Sequence, residues 1–406
     1  MAPNSSHWAI WLLINLVFTL PLSVTAQEES LPVVRIDRIP TSPAFAGQTR
    51  APAARESAYK VESVVSELSF PWAFAFLPDG DIVIVERRIG LRIFGGDGTL
   101  SPPLSGIPAA SEYPDYPSFG WFDVALDPDF QTNRLLYFSY YAADENDPET
   151  AGTATVARAR LREDKMGVEN PEVVLRGFGT QEVHFSPNGS LLVSGAGDFN
   201  VDNPQDPANA NGKLLRVRAD GSVPDDNPFR SKTGAMPEVF TVGHRDISGI
   251  DTNPVTGDVW ISEHGPRGGD ELNIIRSGKN YGWKVISYGT DDSGKPIGNG
   301  EATAIGMEQA VYFWRPSIAP SSLSFYEGEM FPEWQGSVFV GALSGAHLTR
   351  LVISNNRVVG EERLLVDRDE RIRAVKAGPD GALYVLTNEA SGAPRGTAEL
   401  LRLTKP

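Results

Sequence analysis

The sequence predicts an all-β fold of the β-propeller type, and three observations lead to that prediction. Short apolar stretches are followed by turns of Pro, Asp, Asn and Gly and then by alternating strands, and this unit recurs along the chain. No long amphipathic helix pattern separates the copies. With 41% hydrophobic residues in 406, the chain can also bury a large core. Radial repetition of one hairpin is typical of a propeller, and a pair of β-sandwiches is the alternative.

The repeated unit is a hairpin. Copies occupy residues 76–85, 185–193, 253–261 and 378–386, and a longer variant runs from 124 to 139. In most copies an Asp-Gly or Asn-Gly pair stands between the two strands, and these residues accept the positive φ of a tight turn. The first convincing strand pattern begins near Val61, so the repeats predict a domain over residues 59–406.

Two segments precede that domain. An apolar run from Trp8 to Val24 is followed by small residues up to Ala26, which is typical of a secretory signal peptide over residues 1–26. No Lys or Arg precedes the run, so an uncleaved membrane anchor is the alternative. Residues 27–58 are rich in Pro, Ala and Ser and predict a flexible arm. The sequence thus predicts an exported protein, periplasmic or extracellular, without a membrane span after signal cleavage.

Composition excludes several classes of function. The net charge is −16 and no basic cluster occurs, so nucleic acid is not an expected partner. The chain has no cysteine, which excludes disulfides and thiolate metal sites. Its five histidines stand at positions 7, 184, 244, 264 and 347, a pattern that does not predict a multi-histidine metal site. Any metal must be held mainly by oxygen atoms.

The stretch from Glu263 to Glu271 is the densest in glycine and charge. Two glycine-containing pairs, at 265–266 and 268–269, prevent both helix and regular strand, so the stretch predicts a shaped loop. Its carbonyl and carboxylate oxygens are the ligands that calcium prefers, about six to eight of them at roughly 2.3–2.6 Å. A solvated surface turn is the alternative interpretation.

This stretch and its continuation to Trp283 resemble the most characteristic segment of the soluble quinoprotein glucose/sorbosone dehydrogenases, a family that includes aldose sugar dehydrogenases. The resemblance extends over nearly all of residues 61–405. It implies a six-bladed β-propeller. It also implies a dehydrogenase that oxidises a sugar or polyol hydroxyl by hydride transfer to pyrroloquinoline quinone, with calcium as a second cofactor and an external electron acceptor as partner.

The resemblance implies which residues bind the quinone. The run from Gly243 to Asp246 is similar to a family motif whose Arg and Asn reach the cofactor and the substrate; here Arg245 is kept and Asp246 replaces the Asn. Arg371 and Arg373 alternate along a strand end and would form a clamp for the cofactor carboxylates. A structural salt bridge for Arg245 and a solvated strand face for the arginine pair are the alternatives.

The resemblance also implies two calcium positions. The backbone carbonyls of Gly265 and Pro266 match those that hold the cofactor-side calcium, whose role is to polarise a quinone oxygen. Glu271 and Tyr281 match a second, structural calcium. A loop cap is the alternative role for Glu271.

The sequence departs from the family where the catalytic base is expected. The family histidine corresponds to Phe178, and a cofactor-contacting Gln is missing before Gly120, where Ser118 and Phe119 stand. His184 and Glu182 are the possible replacements as base.

The alternative function is therefore a non-catalytic propeller that binds a carbohydrate or protein partner. A metal-dependent hydrolase of the lactonase type is a third, which the scarcity of Asp, Asn and His clusters outside the loop disfavours.

Overall fold

The structure is a computed structural model that describes residues 42–111, 120–143, 152–177, 182–195, 203–388 and 396–406. These residues form six antiparallel sheets arranged as the blades of a β-propeller. The predicted all-β class and the six blades are confirmed. In the described part of the chain, no helix is long and apolar enough to cross a membrane. The predicted signal peptide at 1–26 lies outside the described residues.

The first half of the chain contains, in order, β1 (Lys60–Leu68), β2 (Pro71–Phe76), β3 (Ile82–Glu86), β4 (Gly90–Phe94), β5 (Trp121–Leu126), the one-turn helix α1 (Phe130–Asn133), β6 (Leu135–Ala142), β7 (Thr153–Leu161), β8 (Val168–Arg176), β9 (Val183–Phe185), β10 (Leu191–Ser194), β11 (Lys213–Val217) and β12 (Val239–Val242).

The second half contains β13 (Ile247–Thr252), β14 (Val259–Glu263), β15 (Asp270–Ile274), β16 (Tyr312–Trp314), β17 (Pro320–Phe325), a 3₁₀ turn (Pro332–Trp334), β18 (Val338–Ala342), β19 (His347–Ser354), β20 (Arg357–Leu364), a second 3₁₀ turn (Val366–Arg368), β21 (Arg371–Ala377), β22 (Leu383–Asn388) and β23 (Ala398–Thr404).

Each blade is built from strands that follow one another in the chain. Blade 1 contains β2–β4, blades 2 to 5 contain β5–β8, β9–β12, β13–β16 and β17–β20, and blade 6 joins β21–β23 to β1. In blade 6 the first strand of the chain pairs with the last, with Lys60 opposite Thr404. The two ends of the domain are therefore held in one sheet, which closes the ring.

The predicted hairpins are the links between the first and second strands of four blades. The turn glycines Gly80, Gly189, Gly257 and Gly381 have φ values of 93°, 76°, 72° and 79°. These values lie in the left-handed region, which glycine enters without steric cost. The local turn chemistry therefore sets where each blade begins to fold back.

The core lies between the blades. Among the described residues, a hydrophobic cluster separates each pair of neighbouring blades. Because both faces of a blade are covered, strands such as Ile82–Glu86 are buried along their whole length. Between blades 6 and 1, the rings of Phe76 and Tyr384 meet edge to face at 4.9 Å between centroids. Burial of each large apolar side chain stabilises the ring by about 1.5–3 kcal/mol.

The first strand of each blade lies nearest the propeller axis, and these inner strands contact one another around the ring. Polar side chains link some inner strands to the next: Asp123 Oδ2 accepts a hydrogen bond of 2.9 Å from the Val183 amide, and Asp251 Oδ2 accepts one of 2.7 Å from the Phe325 amide. We call the end of the axis where β9, β13 and β21 begin the front end, and the end where β13 finishes the rear end.

Residues 42–58 differ from the predicted flexible arm. They cross the outer strands of blades 4 and 5, where the Ala54 amide donates to the Glu361 carbonyl at 2.8 Å and the Phe313 amide donates to the Gln48 carbonyl at 2.9 Å. The side chain of Gln48 is fully buried. We call residues 42–58 the strap. A composition of Pro, Ala and Ser does not reveal such packing because its partners lie about 240–310 positions further along the chain.

Candidate active site

The predicted shaped loop follows β14, and Glu263 connects it to the motif that contains Arg245. Glu263 Oε2 accepts a hydrogen bond of 2.9 Å from the Arg245 amide, and Oε1 lies 3.3 Å from His244 Nδ1. Oε1 also accepts a hydrogen bond of 2.7 Å from Asn273 Nδ2. Both Glu263 and His244 are buried. One carboxylate thus fixes the start of blade 4 to the loop that carries Gly265 and Pro266.

The loop itself is compact because its glycines have no side chains. A Cβ atom on Gly265 would lie 1.7 Å from the Gly269 carbonyl oxygen, so only glycine fits there. The Pro266 carbonyl accepts hydrogen bonds from the Gly269 amide at 2.9 Å and from Ser317 Oγ at 3.0 Å. Asp270 Oδ1 accepts one from the Gly265 amide at 2.9 Å. The sequence prediction of a shaped loop agrees with this geometry.

Two carboxylates face each other beneath the loop. Glu263 and Glu271 are opposite residues of β14 and β15. Asn273 Nδ2 donates to both, at 2.7 Å to Glu263 and 3.1 Å to Glu271. Burial first, and then the Glu263 carboxylate, raise the pKa of Glu271 well above its ordinary value. Like charges opposite each other destabilise a sheet, and a bound cation would remove that cost.

A small cavity of about 10 Å³ lies beside this pair. Its lining includes Glu263, His264, Gly265, Pro266, Glu271 and Tyr281. Among the described residues no group of three or more Asp, Glu or His side chains could hold a metal. A cation at this cavity would therefore depend on backbone carbonyls as well as the two carboxylates, which is the donor set that calcium takes.

Tyr281 can contribute to such a site only through its backbone. Its hydroxyl donates to the Ile274 carbonyl at 2.7 Å and accepts from the Arg276 amide at 2.9 Å. Its ring stacks on His244, with 4.6 Å between centroids. The hydroxyl and the ring of Tyr281 are therefore both engaged in contacts within the protein, which leaves its backbone carbonyl as the possible metal ligand.

The predicted arginine pair lies at the front end of the axis. Arg373 is buried, and its Cζ lies 3.3 Å from the centre of the Trp72 ring, while Cζ of Arg87 lies 3.9 Å from the same ring. Burial is the main cause that lowers the pKa of Arg373 to about 10 and that of Arg87 to about 9. In the described part of the chain, Nε of Arg371 and Nε of Arg373 are buried without a hydrogen-bond partner. These orphaned donors fit an anionic ligand.

Acidic residues share the front end with these arginines. Asp246 and Glu182 come directly before β13 and β9, and both interact electrostatically with Arg373. Burial first, and then the Asp123 carboxylate, raise the pKa of Glu182 well above its ordinary value. Asp246 Oδ2 lies 3.7 Å from His264 Nδ1. The structure therefore brings Asp246, Glu182 and Arg373 together within reach of the loop.

Arg245 lies on the loop side of the front end. Its NH1 donates to the His264 carbonyl at 2.9 Å, and its Cζ lies 5.4 Å from the centre of the Trp283 ring. These contacts orient the guanidinium along the loop, next to Asp246. The Glu263 carboxylate contacts the backbone amide of the same residue, on the loop side.

His184 is turned away from this group, towards the rear end. Its Nε2 lies 2.9 Å from Oγ1 of Thr252, the last residue of β13, whereas Asp246 precedes the first. Burial, and then the charge of Lys376, lower the pKa of His184 to about 4. Two residues along a strand, roughly 6–7 Å, separate His184 from Glu182. Phe178, Ser118 and Phe119 lie outside the described residues.

Sequence reasoning missed the parts of the site that depend on distant residues. Trp72 and Arg87 lie in the region that resembles the family but stand in none of its site motifs, yet they pack against or near Arg373 from about 300 positions away. Glu263 was only the first residue of a loop, yet it connects three segments. A single sequence carries no signal for these pairings, since none repeats with a strand or helix period.

Comparisons with known proteins show which family the chain belongs to. A family model described as glucose/sorbosone dehydrogenase matches residues 68–402. The chain belongs to the glucose/sorbosone dehydrogenase family. The resemblance inferred from the sequence is thereby confirmed.

Individual members of the family match over most of their length. The aldose sugar dehydrogenase YliI of Escherichia coli is 39% identical over 344 residues, which cover 82% of this chain and 91% of the relative. The quinoprotein glucose dehydrogenase B of Acinetobacter calcoaceticus is 25% identical over 422 residues, covering 83% and 87%. The crystal structure of the soluble Escherichia coli aldose sugar dehydrogenase in its apo-form has 35% identity and a TM-score of 0.78, covering 86% and 100%.

Proposed function

We propose that this family member is an exported quinoprotein that oxidises a sugar or polyol hydroxyl, with pyrroloquinoline quinone and calcium as cofactors. The observation that carries the proposal is the pair Arg371 and Arg373 at the front end of the axis, whose Nε atoms are buried and have no hydrogen-bond partner among the described residues. The relatives named as an aldose sugar dehydrogenase and a quinoprotein glucose dehydrogenase support it. An external electron acceptor is the expected partner, and residues 1–26 are the proposed export signal.

The arginines would bind the carboxylates of the quinone. Arg373 is held against Trp72, so its guanidinium plane is fixed before the ligand arrives, and little side-chain entropy is lost on binding. Arg245 would bind from the loop side, where the His264 carbonyl orients it. Asp246 can only accept hydrogen bonds when ionised, so it would orient a hydroxyl of the sugar or a donor group of the cofactor.

Calcium would be bound by the loop. The Gly265 carbonyl would hold the ion on the cofactor side, joined by the Pro266 carbonyl when the Ser317 hydroxyl turns away from it. Glu271 with the Tyr281 carbonyl would hold a structural ion near the small cavity. When bound, the quinone supplies an acceptor for a hydride and calcium supplies a Lewis acid. The compact loop keeps the ligand carbonyls in place because Gly265 packs against Gly269.

Oxidation of a hydroxyl also needs a group that takes the hydroxyl proton. Glu182 is the described side chain that best meets this need, because it is a carboxylate at the front end that faces Arg373, and its pKa is raised above the ordinary value by burial and by Asp123. His184 is the other candidate from the sequence, but its Nε2 is engaged with Thr252 near the rear end. We therefore assign the proton to the Glu182 carboxylate.

The direct test is titration of the purified cofactor-free protein with pyrroloquinoline quinone and calcium. The quinone absorbance should change on binding and should bleach when an aldose is added. Binding without bleaching by any sugar would favour the alternative, a non-catalytic propeller that binds a carbohydrate or protein partner. This alternative is favoured by Phe178, which occupies the position of the family histidine and cannot accept a proton. Absence of binding would refute the quinoprotein proposal.

Calcium is expected to stabilise the fold, since a ligand that binds only the native state adds free energy of unfolding by mass action, about 2.7 kcal/mol at a concentration 100-fold above Kd. A chelator should therefore lower the melting temperature, and Glu271→Ala should abolish that response. Glu172→Ala is the matched control, because Glu172 is 60% exposed and pairs only with Arg158 at the surface. Identical melting curves with and without chelator would contradict the structural ion.

A further inference from the structure

The strap reaches the proposed calcium site through one buried side chain, Gln48. Its Nε2 donates to the Tyr288 hydroxyl and to the Ala310 carbonyl, both at 2.7 Å. Its Oε1 accepts from the Ala44 amide at 2.7 Å, and its carbonyl accepts from the Phe313 amide at 2.9 Å. A side chain with no exposed surface and this many hydrogen bonds is tightly fixed.

The two aromatic residues that Gln48 holds stand next to Glu271. Tyr288 and Phe313 stack with 4.1 Å between ring centroids and 9° between planes. Phe313 is opposite Glu271 in the β15–β16 pair. The stacked pair therefore lies against Glu271 through Phe313.

The same segment also supports the loop on its other side. The Tyr288 carbonyl accepts a hydrogen bond from Arg315, and a Cβ atom on Gly269 would lie 2.9 Å from the Gly289 amide nitrogen. The Thr290 amide donates to the Arg267 carbonyl at 3.0 Å. The segment around Tyr288 therefore packs against the loop from 265 to 269 as well as against Glu271.

We propose that Gln48 is a positioning residue for the calcium site: the strap fixes the Tyr288–Phe313 pair, and that pair fixes Glu271 and the loop of Gly265 and Pro266. This inference rests on the proposed function, because it takes Glu271 as a calcium ligand. It assigns to an N-terminal segment, outside the propeller blades, a part in building the site.

The test replaces Gln48 by Leu, which is similar in size but has no amide. Calcium affinity of the cofactor-free protein, measured by titration calorimetry, should fall about tenfold or more, because Tyr288 and Ala310 lose their buried partner. Tyr288→Phe, which keeps the ring stack and removes the hydroxyl, should have a similar effect. The effects of the two changes should be less than additive in the double variant, since the bond between Gln48 and Tyr288 is lost in each single variant.

Ser57→Ala is the matched control at the other end of the strap. Ser57 Oγ donates to Glu362 Oε2 at 2.8 Å and accepts from Trp334 Nε1 at 2.7 Å, in blade 5 and away from the loop. This variant should lower the melting temperature equally with calcium and with chelator, and should leave calcium affinity unchanged. Parental calcium affinity in both Gln48→Leu and Tyr288→Phe would overturn the inference.

Amide hydrogen exchange separates this inference from the calcium assignment. Without any ligand, Gln48→Leu should speed exchange at residues 264–271, whereas Ser57→Ala should not. If the parent binds no calcium but Gln48→Leu still loosens this loop, the positioning role stands and the metal assignment fails. If exchange in the loop is unchanged in Gln48→Leu, the positioning role is wrong even when the parent binds calcium.

Discussion

Replacement of Arg373 by Ala is expected to weaken binding of pyrroloquinoline quinone tenfold or more. A charge-assisted hydrogen bond contributes about 1.5–3 kcal/mol, and about 1.4 kcal/mol corresponds to a factor of ten. Arg373 is buried against Trp72, so water cannot easily replace the guanidinium. The dissociation constant should be measured by titration of the quinone absorbance in the presence of calcium.

Two further variants serve as a conservative replacement and as a control. Arg373→Lys keeps the charge but loses the planar fork, so it should recover part of the affinity and not all of it. Arg402→Ala removes an arginine that pairs with Glu62 at 3.1 Å and Asp380 at 2.7 Å on blade 6 and should leave the dissociation constant unchanged. If Arg373→Ala binds the quinone as tightly as the parent, the arginines are not the anion clamp.

The hairpins show which part of the fold a sequence can predict. The turn at Gly80 forms because an Asp-Gly pair favours positive φ between two apolar strands, and every residue involved lies within ten positions. The strap shows the opposite case. Gln48 is buried because the strap packs against Tyr288 and Ala310, which lie between β15 and β16 of blade 4, and its neighbours in the sequence resemble those of a linker.

The candidate site also combines local features that the sequence predicts with long-range features that it does not. Alternation along a strand correctly indicates that His184 points away from the Val183 side of β9, because side chains alternate with a period of two. Alternation does not indicate how deep along the axis the ring lies. That depth depends on how β9 is aligned with the inner strands beside it, and this alignment is set by contacts between blades, such as Asp123 to Val183 and His184 to Thr252.

The proton acceptor is expected to control the rate by a factor of about 10²–10⁴, the usual contribution of a positioned base. Glu182→Gln should therefore lower kcat for sugar oxidation about a hundredfold or more in the reconstituted protein. It should not weaken quinone binding, since it removes a negative charge that faces Arg373. A fall in affinity without a fall in kcat would instead make Glu182 a structural partner of Arg373.

The pH profile gives a second, independent reading of the same group. A base acts only when deprotonated, so kcat should rise with pH through the raised pKa of Glu182 and then level off. Burial and the Asp123 carboxylate cause that raised pKa. Asp123→Asn removes the like charge, so the rising limb should move to lower pH. A profile that is the same in Asp123→Asn as in the parent would argue against Glu182 as the titrating group.

His184 and Phe178 are the two other positions at which a catalytic base can be tested. His184→Gln should leave the rate nearly unchanged, because the ring is bonded to Thr252 near the rear end and has a pKa of about 4. Phe178→His restores the residue that the family resemblance places there and should raise the rate if Glu182 is a slower base than a histidine. All variants should be compared across a panel of aldoses with the same reconstituted cofactors. A robust parental rate that collapses in His184→Gln and survives in Glu182→Gln would make His184 the base.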